Sequence, residues 1–414
     1  MLFCFPFVLF APFRGYSNLS ESPPVNSDHS YEELIADLKQ RSLYRELHPI
    51  DAVNGTGVGR GGRSLINFAS NDYLGLTQHP QLKMAAADAA QKFGAGSGAS
   101  RLITGTLAIH SELETKLAAF KKTPAALAFE SGYAAALGVI PALYGQGDVI
   151  ILDKLAHASL IDGARISGAE IRVYPHNRLE RLAELLDWAR QKRRGAKILI
   201  ITESIFSMDG DFCPLPEIVE LKDEFEAVLL LDEAHAIGVV GPDGAGLAAE
   251  CGVIDRVDIH LGTLSKAVGS SGGFIAGSSS LVELLINRAR TFIYSTAPPP
   301  AAIGAAIEGL GIIASETGDQ LRAALQRNHE ELTVTLKRPK PEAAQSAIVP
   351  IIVGSEEQAL SLSEELVERG FLVPAVRFPT VPRGSARLRV TLSAAHQLSD
   401  VVNLCEAINA VGGE

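Results

Sequence analysis

Val228-Leu229-Leu230-Leu231-Asp232-Glu233-Ala234-His235 is the stretch from which the fold can be read. An unbroken branched-aliphatic run suits a strand covered on both faces, as in a parallel sheet flanked by helices. It delivers a carboxylate at its end, where burial is costly unless a cation or hydrogen-bond donor is met. Read alone, Asp232 serves equally as a helix cap or a loop ion pair. A protonated ring nitrogen would also suit it, and His235 follows closely enough to lie beside the same ring. The next run, Val257–Leu264, leads through Thr263 and Ser265 to Lys266, then to Gly269 and Gly272-Gly273. A lysine between an apolar strand and a glycine-rich turn is badly placed for a solvated charge and well placed for a Schiff base.

Upstream the pattern repeats. Lys197–Glu203 runs into Ser204 and Phe206-Ser207-Met208-Asp209-Gly210-Asp211. Asp148–Asp153 runs towards His157-Ala158-Ser159, although a lone histidine is more often structural. Ala126–Glu130 ends in Ser131-Gly132-Tyr133 before a helix-like Ala134–Leu137, a turn that offers backbone N–H groups to a phosphate. Amphipathic helices such as Leu179–Arg190 lie between. The alternation predicts an α/β domain around a mostly parallel sheet, with ligands at the carboxyl ends of the strands.

Pro298-Pro299-Pro300 marks a break. Beyond it the sequence reads as strand Ala347–Val353, helix Glu356–Arg369, strand Phe371–Val376, strand Arg387–Leu392 and helix Leu398–Ala410. The expected divisions are an apolar and flexible extension at 1–29, an N-terminal helix and arm at 30–65, a large α/β domain at 66–300 and a small α+β domain at 301–414. Ser30 with Glu33 reads as a capping box. Residues Met1–Phe13 are apolar but too short for a membrane span, which takes about 20 residues. They also lack the positive start of a signal peptide. The 414 residues carry a net charge of −11, which gives no footprint for nucleic acid. Four scattered cysteines (Cys4, Cys213, Cys251, Cys405) show neither a disulfide framework nor metal-ligand spacing, so reduced thiols, a cytoplasmic setting and no metal are expected.

Asp232-Glu233-Ala234-His235 and Thr263-Leu264-Ser265-Lys266 resemble signatures of the α-oxoamine synthase family, which are fold-type I pyridoxal-phosphate (PLP) enzymes. Ser70–Leu76, Gly96–Arg101, Asp153 through Ser159, Phe206–Gly210 and Ala386–Val390 fit as well, so the likeness runs from about Leu38 to the C-terminus. It implies a PLP cofactor, a large domain with a mostly parallel sheet plus a small one, and a homodimer with shared active sites. Lys266 would hold the cofactor and later take the Cα proton, Asp232 would pair with the ring nitrogen, and His157 would stack on the ring. His235 and Ser207 would contact the ring oxygen. Gly132, Tyr133 and Thr263 would bind the phosphate, with Thr296 reaching a neighbouring subunit's phosphate. Asn71 and Arg389 would hold the amino acid's carboxylate, and Arg45 and Thr380 match substrate-contacting positions. The implied reaction is decarboxylative condensation of L-alanine with a pimeloyl thioester; a glycine-using sister activity is the alternative.

Two other classes can be set against this. Gly57-Val58-Gly59-Arg60-Gly61-Gly62 fits a dinucleotide-binding pattern, but it follows a turn-like stretch and precedes a strand, the reverse of what that motif requires. A non-catalytic binding protein on the same scaffold would be favoured by loss of Lys266 or Asp232, and both are present.

Overall fold

The computed structural model describes residues 28–41, 43–337 and 346–411. The extension expected at residues 1–29 therefore falls almost entirely outside the described residues. In chain order the strands are β1 (Ala52–Asn54), β2 (Gly57–Arg60), β3 (Arg63–Asn67), β4 (Ala125–Phe129), β5 (Val149–Asp153), β6 (Glu170–Tyr174) and β7 (Ile198–Glu203). They continue with β8 (Val228–Asp232), β9 (Ile259–Thr263), β10 (Gly273–Gly277), β11 (Ile348–Gly354), β12 (Phe371–Leu372), β13 (Ala375–Val376) and β14 (Ala386–Thr391).

Seven of them form one sheet in the order β4-β10-β9-β8-β7-β5-β6. The pairs β5–β6, β5–β7, β7–β8 and β8–β9 are parallel. Strand β10 runs antiparallel to both β9 and β4, so β4 points the same way as β9. The carboxyl ends of β4, β5, β7, β8 and β9 consequently share one edge, and the loops bearing chemical side chains emerge together.

The branched-aliphatic runs form these strands because both sheet faces are covered. Alternate residues point to opposite sides: Ile150, Leu152, Leu199, Ile201 and Leu230 join the cluster around helix Gly132–Leu143. Ile151, Ile200, Leu229 and Leu231 join the opposite cluster with helices Leu179–Lys192 and Leu215–Glu224. Each such side chain contributes roughly 1.5–3 kcal/mol on burial.

A third cluster joins Phe68, Tyr73 and Val268 to residues of a three-stranded antiparallel sheet, β11-β14-β13. This places β14, with Arg387 and Arg389, against the loops of the large sheet. The remaining sheet, β1-β2-β3-β12, puts Gly57–Gly62 in the β2–β3 hairpin rather than at a helix start, which removes the dinucleotide-binding reading.

The five runs read from the sequence coincide with strands to within about two residues, the usual uncertainty of element ends. Three differences stand out. Helix Asp28–Gln40 begins before Ser30, so Ser30 and Glu33 lie within its first turns and not at its start. Phe371–Val376 is two short pieces in different sheets, broken at Val373-Pro374, where the proline carbonyl instead accepts from Arg389 N. β6 and β10 were not anticipated: β6 is a half-exposed edge carrying Glu170 and Arg172, and β10 has only Phe274-Ile275-Ala276 between its terminal glycines. Among the described residues no helix is long and apolar enough to cross a membrane.

Candidate active site

The β9–β10 connection holds Lys266. Its Nζ lies 2.8 Å from His235 Nε2, on the turn that follows β8. His235 Nδ1 lies 2.6 Å from the hydroxyl of Tyr73, which is fully buried and reaches Asn71 Oδ1 at 3.2 Å. The same Asn71 oxygen accepts from both terminal nitrogens of Arg389, at 3.2 and 3.3 Å. One directional reading satisfies every donor: Lys266 donates to His235, His235 to Tyr73, and Tyr73 and Arg389 to Asn71. His235 is then a neutral imidazole. Burial, followed by the charges of Lys266 and Arg389, pushes its pKa well below the usual histidine range.

Burial also lowers the Lys266 pKa to about 8, with Asp232 and Glu203 acting in the opposite direction. Such an amine is partly neutral near physiological pH, as a nucleophile or base requires. Asp232 ends β8, buried, and Oδ1 accepts from Ala234 N at 2.9 Å. Its pKa is raised by burial against the pull of Lys266.

Arg389 is buried, yet it meets only oxygens without formal charge. Its Nε donates to the Ser207 carbonyl at 2.7 Å and a terminal nitrogen donates to Thr391 Oγ1 at 2.9 Å. Among the described residues no carboxylate lies within ion-pair distance of it. A desolvated guanidinium without a counter-ion is a receptor for an anion.

His157 caps helix Ala158–Ser167, with Nδ1 2.8 Å from Ser159 Oγ. His157 is exposed to solvent although protein packs around much of it. Burial of that kind lowers its pKa, while the Asp232 charge raises it. Ser131 caps Ala134 N at the start of helix Gly132–Leu143, leaving the N–H groups of Gly132 and Tyr133 at the helix mouth. Thr263 flanks Gly132: a Cβ added to that glycine would lie 3.5 Å from the threonine. Its hydroxyl donates to the Gly272 carbonyl at 2.9 Å and lies 2.8 Å from Ser265 Oγ.

The anticipated residues thus fall into groups. Lys266, His235, Asn71, Arg389 and Ser207 join through hydrogen bonds, and Asp232 and His157 sense the Lys266 charge. Gly132, Tyr133 and Thr263 surround the helix mouth, with the Tyr133 hydroxyl bonded to Asp162. Thr296 is exposed, paired with Ser100, and lines a cavity of about 330 Å³ with Glu130 and Ser271. Arg45 and Thr380 are exposed, on segments joined by Arg377 donating to the Tyr44 carbonyl, and neither bonds to the lysine cluster.

Two participants escaped the sequence reading. Tyr73 lay within a recognised motif but had no role. Glu203 ends β7 as Asp232 ends β8; it is buried, and its Oε1 has no hydrogen-bond partner among the described residues. The signal that singled out Asp232, an acid closing an apolar strand, was equally present there.

These groups fit PLP. Lys266 offers a partly neutral amine for its aldehyde, Asp232 a buried acid for its ring nitrogen, and the Gly132–Thr263 mouth offers N–H and hydroxyl groups for its phosphate.

Residues 63–408 match the family model described as aminotransferase class I and II. The chain is 44% identical to an 8-amino-7-oxononanoate synthase of Geobacter sulfurreducens over 92% of this chain and 97% of that one. It is 48% identical to an enzyme of the same name from Anaeromyxobacter dehalogenans, over 90% and 93%. Among solved structures, a serine palmitoyltransferase from S. paucimobilis with bound PLP superposes with TM-score 0.87 at 30% identity, covering 93% of this chain and 98% of that one. An 8-amino-7-oxononanoate synthase from Francisella tularensis gives 0.70 at 29%, covering 84% and 97%. The chain belongs to the 8-amino-7-oxononanoate synthases, within the class I and II aminotransferase family of PLP fold-type I enzymes.

Proposed function

We propose that this chain condenses L-alanine with a pimeloyl thioester, releasing CO2 and free thiol and giving 8-amino-7-oxononanoate for biotin biosynthesis. The observation that carries the site assignment is the continuous chain Lys266–His235–Tyr73–Asn71–Arg389. It sets a partly neutral amine and a guanidinium lacking a counter-ion on one surface, as an α-amino acid substrate requires. PLP, when bound, supplies an electron sink that stabilises negative charge at the amino acid's Cα.

Asp232 would hold the ring nitrogen of the cofactor, and the Gly132 and Tyr133 N–H groups would hold its phosphate, joined by the Thr263 hydroxyl turned from the Gly272 carbonyl. Arg389, assisted by Asn71, binds the alanine carboxylate in a fixed orientation. Lys266, once its amine is free, removes the Cα proton. Its depressed pKa makes the neutral base available. Neutral His235 receives a hydrogen bond from the lysine ammonium and keeps that side chain aimed. His157 would stack on the ring, and Ser207 would contact the ring oxygen. The Cα–C bond to the thioester carbonyl would form as thiol leaves, and the resulting β-keto acid would lose CO2 and take a proton back at Cα.

Arg45 and Thr380 contact the acyl donor from the rim. A second copy of the chain covers the face carrying Leu102, Ile103 and Tyr294, exposed apolar side chains near the Thr296 cavity, and Thr296 then serves the partner's phosphate.

Thiol release by the PLP-loaded protein tests the reaction, with L-alanine and glycine each paired with pimeloyl-, succinyl- and acetyl-CoA. Release confined to L-alanine with pimeloyl-CoA supports the assignment. Preference for glycine moves the chain to a sister activity with the same Lys266 chemistry.

A further inference from the structure

Outside the lysine cluster, three side chains form a bridge whose chemistry the reaction has not used. His176 follows β6. Its Nδ1 lies 3.0 Å from Oδ1 of Asp153, the buried acid closing β5, and its Nε2 lies 2.7 Å from Oδ2 of Asp211. Carboxylate oxygens only accept, so both ring nitrogens carry hydrogen and the ring is an imidazolium. Asp211 sits in the loop Ile205–Phe212, closed by the bridge between those two residues. Asp211 Oδ1 has no partner among the described residues, so His176 and the Asn177 amide (3.2 Å) make its side-chain attachment. The ring also meets Phe206 edge-on, with centroids 4.3 Å apart.

The far side of this loop touches β14. The Ser207 carbonyl accepts from Arg389 Nε at 2.7 Å, and Asp209 Oδ1 accepts from Arg387 at 2.6 Å. Gly210, at φ +70°, presses against β11; a Cβ there would lie 2.2 Å from the Ile348 carbonyl. The loop is a slab wedged between His176 on the large sheet and two arginines on the small one.

We propose that His176 is a positioning residue, pinning the Ile205–Phe212 loop to the end of β5 so that the Ser207 carbonyl fixes the guanidinium of Arg389 for the amino acid's carboxylate. The inference rests on the reading of Arg389 as the carboxylate receptor. Asp153 anchors the bridge independently, since it also accepts from Leu155 N at 2.8 Å and Asn177 N at 2.9 Å. Loosening of the bridge therefore falls on the loop and not on the strand. Because Arg389 meets the amino acid and not the thioester, the consequence is selective for one substrate.

The test uses the PLP-loaded protein, with His176→Gln and with Asp211→Asn, which takes the charge from the loop end of the bridge at a partly exposed residue and so leaves a folded protein to assay. L-Alanine is titrated against the absorbance of the bound cofactor, and KM is measured for both substrates. Both variants are expected to bind alanine about tenfold more weakly, the effect of weakening one charge-assisted hydrogen bond, with the thioester KM unchanged. In an Arg389→Lys background, Asp211→Asn is expected to add no further loss. Unchanged alanine affinity in Asp211→Asn, or a full additional loss in the Arg389→Lys background, overturns the proposal while leaving Arg389 as receptor. A wild-type protein that does not respond to alanine overturns both readings together.

Discussion

Glu203 and Asp232 stand opposite one another in register at the ends of β7 and β8, two carboxyl groups buried side by side. Burial first, then the neighbouring Asp232 charge, pushes the Glu203 pKa well above the usual carboxylate range, with Lys266 pulling it back. Two adjacent buried carboxylates cannot both ionise cheaply, so Glu203 carries the proton. Glu203→Gln, which keeps the shape and adds no charge, is expected to cost less than about 1 kcal/mol at pH 7. Glu203→Ala is expected to cost about 2–3 kcal/mol through the cavity it leaves. Urea unfolding of both variants decides it: equal losses would mean that Glu203 is ionised.

Lys266 leads to a prediction about loading. With a pKa of about 8, the free amine is roughly one-tenth neutral at pH 7. Only the neutral amine attacks an aldehyde, so PLP uptake by the apoprotein should quicken about tenfold per pH unit below 8 and level off above it. A rate still climbing at pH 10 would mean an ordinary lysine. Lys266→Ala should abolish turnover and leave the circular dichroism spectrum unchanged.

Directly behind Asp232, Lys121 Nζ lies 2.5 Å from Glu233 Oε2 and 2.6 Å from the Ala245 carbonyl, with His260 Nδ1 at 3.1 Å from the same carboxylate. All three side chains are fully buried. Lys121→Met should destabilise the protein by about 3–5 kcal/mol, because it strands a buried carboxylate, and adding Glu233→Gln should recover part of the loss. Burial opposes ionisation of Glu233, but Lys121 and His260 outweigh it and bring its pKa to about 2. A depressed carboxylate stabilises above its unfolded pKa, so this contribution should fade as pH falls from about 4.5 to about 2. Unfolding of wild type and the double variant across that range measures it.

His176 has the opposite sign. Burial disfavours its charge, yet the hydrogen bonds to Asp153 and Asp211 hold its pKa at about 10. A raised histidine stabilises fully below its unfolded pKa and loses that contribution as pH rises towards the folded one. The stability gap between wild type and His176→Gln should therefore be widest below about pH 6.5 and close by about pH 10. A gap independent of pH would mean that the ring is neutral.

How much could be read beforehand depended on where each signal resides. Asp232 and Lys266 were legible because burial forces strands into unbroken apolar runs, and a charge at the end of such a run stands out. β6 and β10 lacked that contrast, one being half-exposed and the other having only three apolar residues between its glycines. Glu203 was hidden because its importance comes from the facing residue on the next strand, which a linear reading does not align. His176 was hidden for a related reason: its two partners, the end of β5 and the loop after β7, are brought together only by the sheet order. The break at Val373-Pro374 arises from β12 and β13 pairing with different sheets, a choice made in tertiary structure.

The reversal of β10 has a mechanical consequence. Because that strand returns beside β9, the segment from Leu264 to Gly272 is tethered to the sheet at both of its ends, and Gly269 bends it at φ +77°. Lys266 is thus mounted on a doubly clamped span instead of a cantilever. In the role proposed for Lys266, a substrate amine would displace only the side chain while the backbone stayed clamped, so the base would remain at high effective molarity within reach of the proton it is to remove. Recapture at the close of each cycle would then require no search.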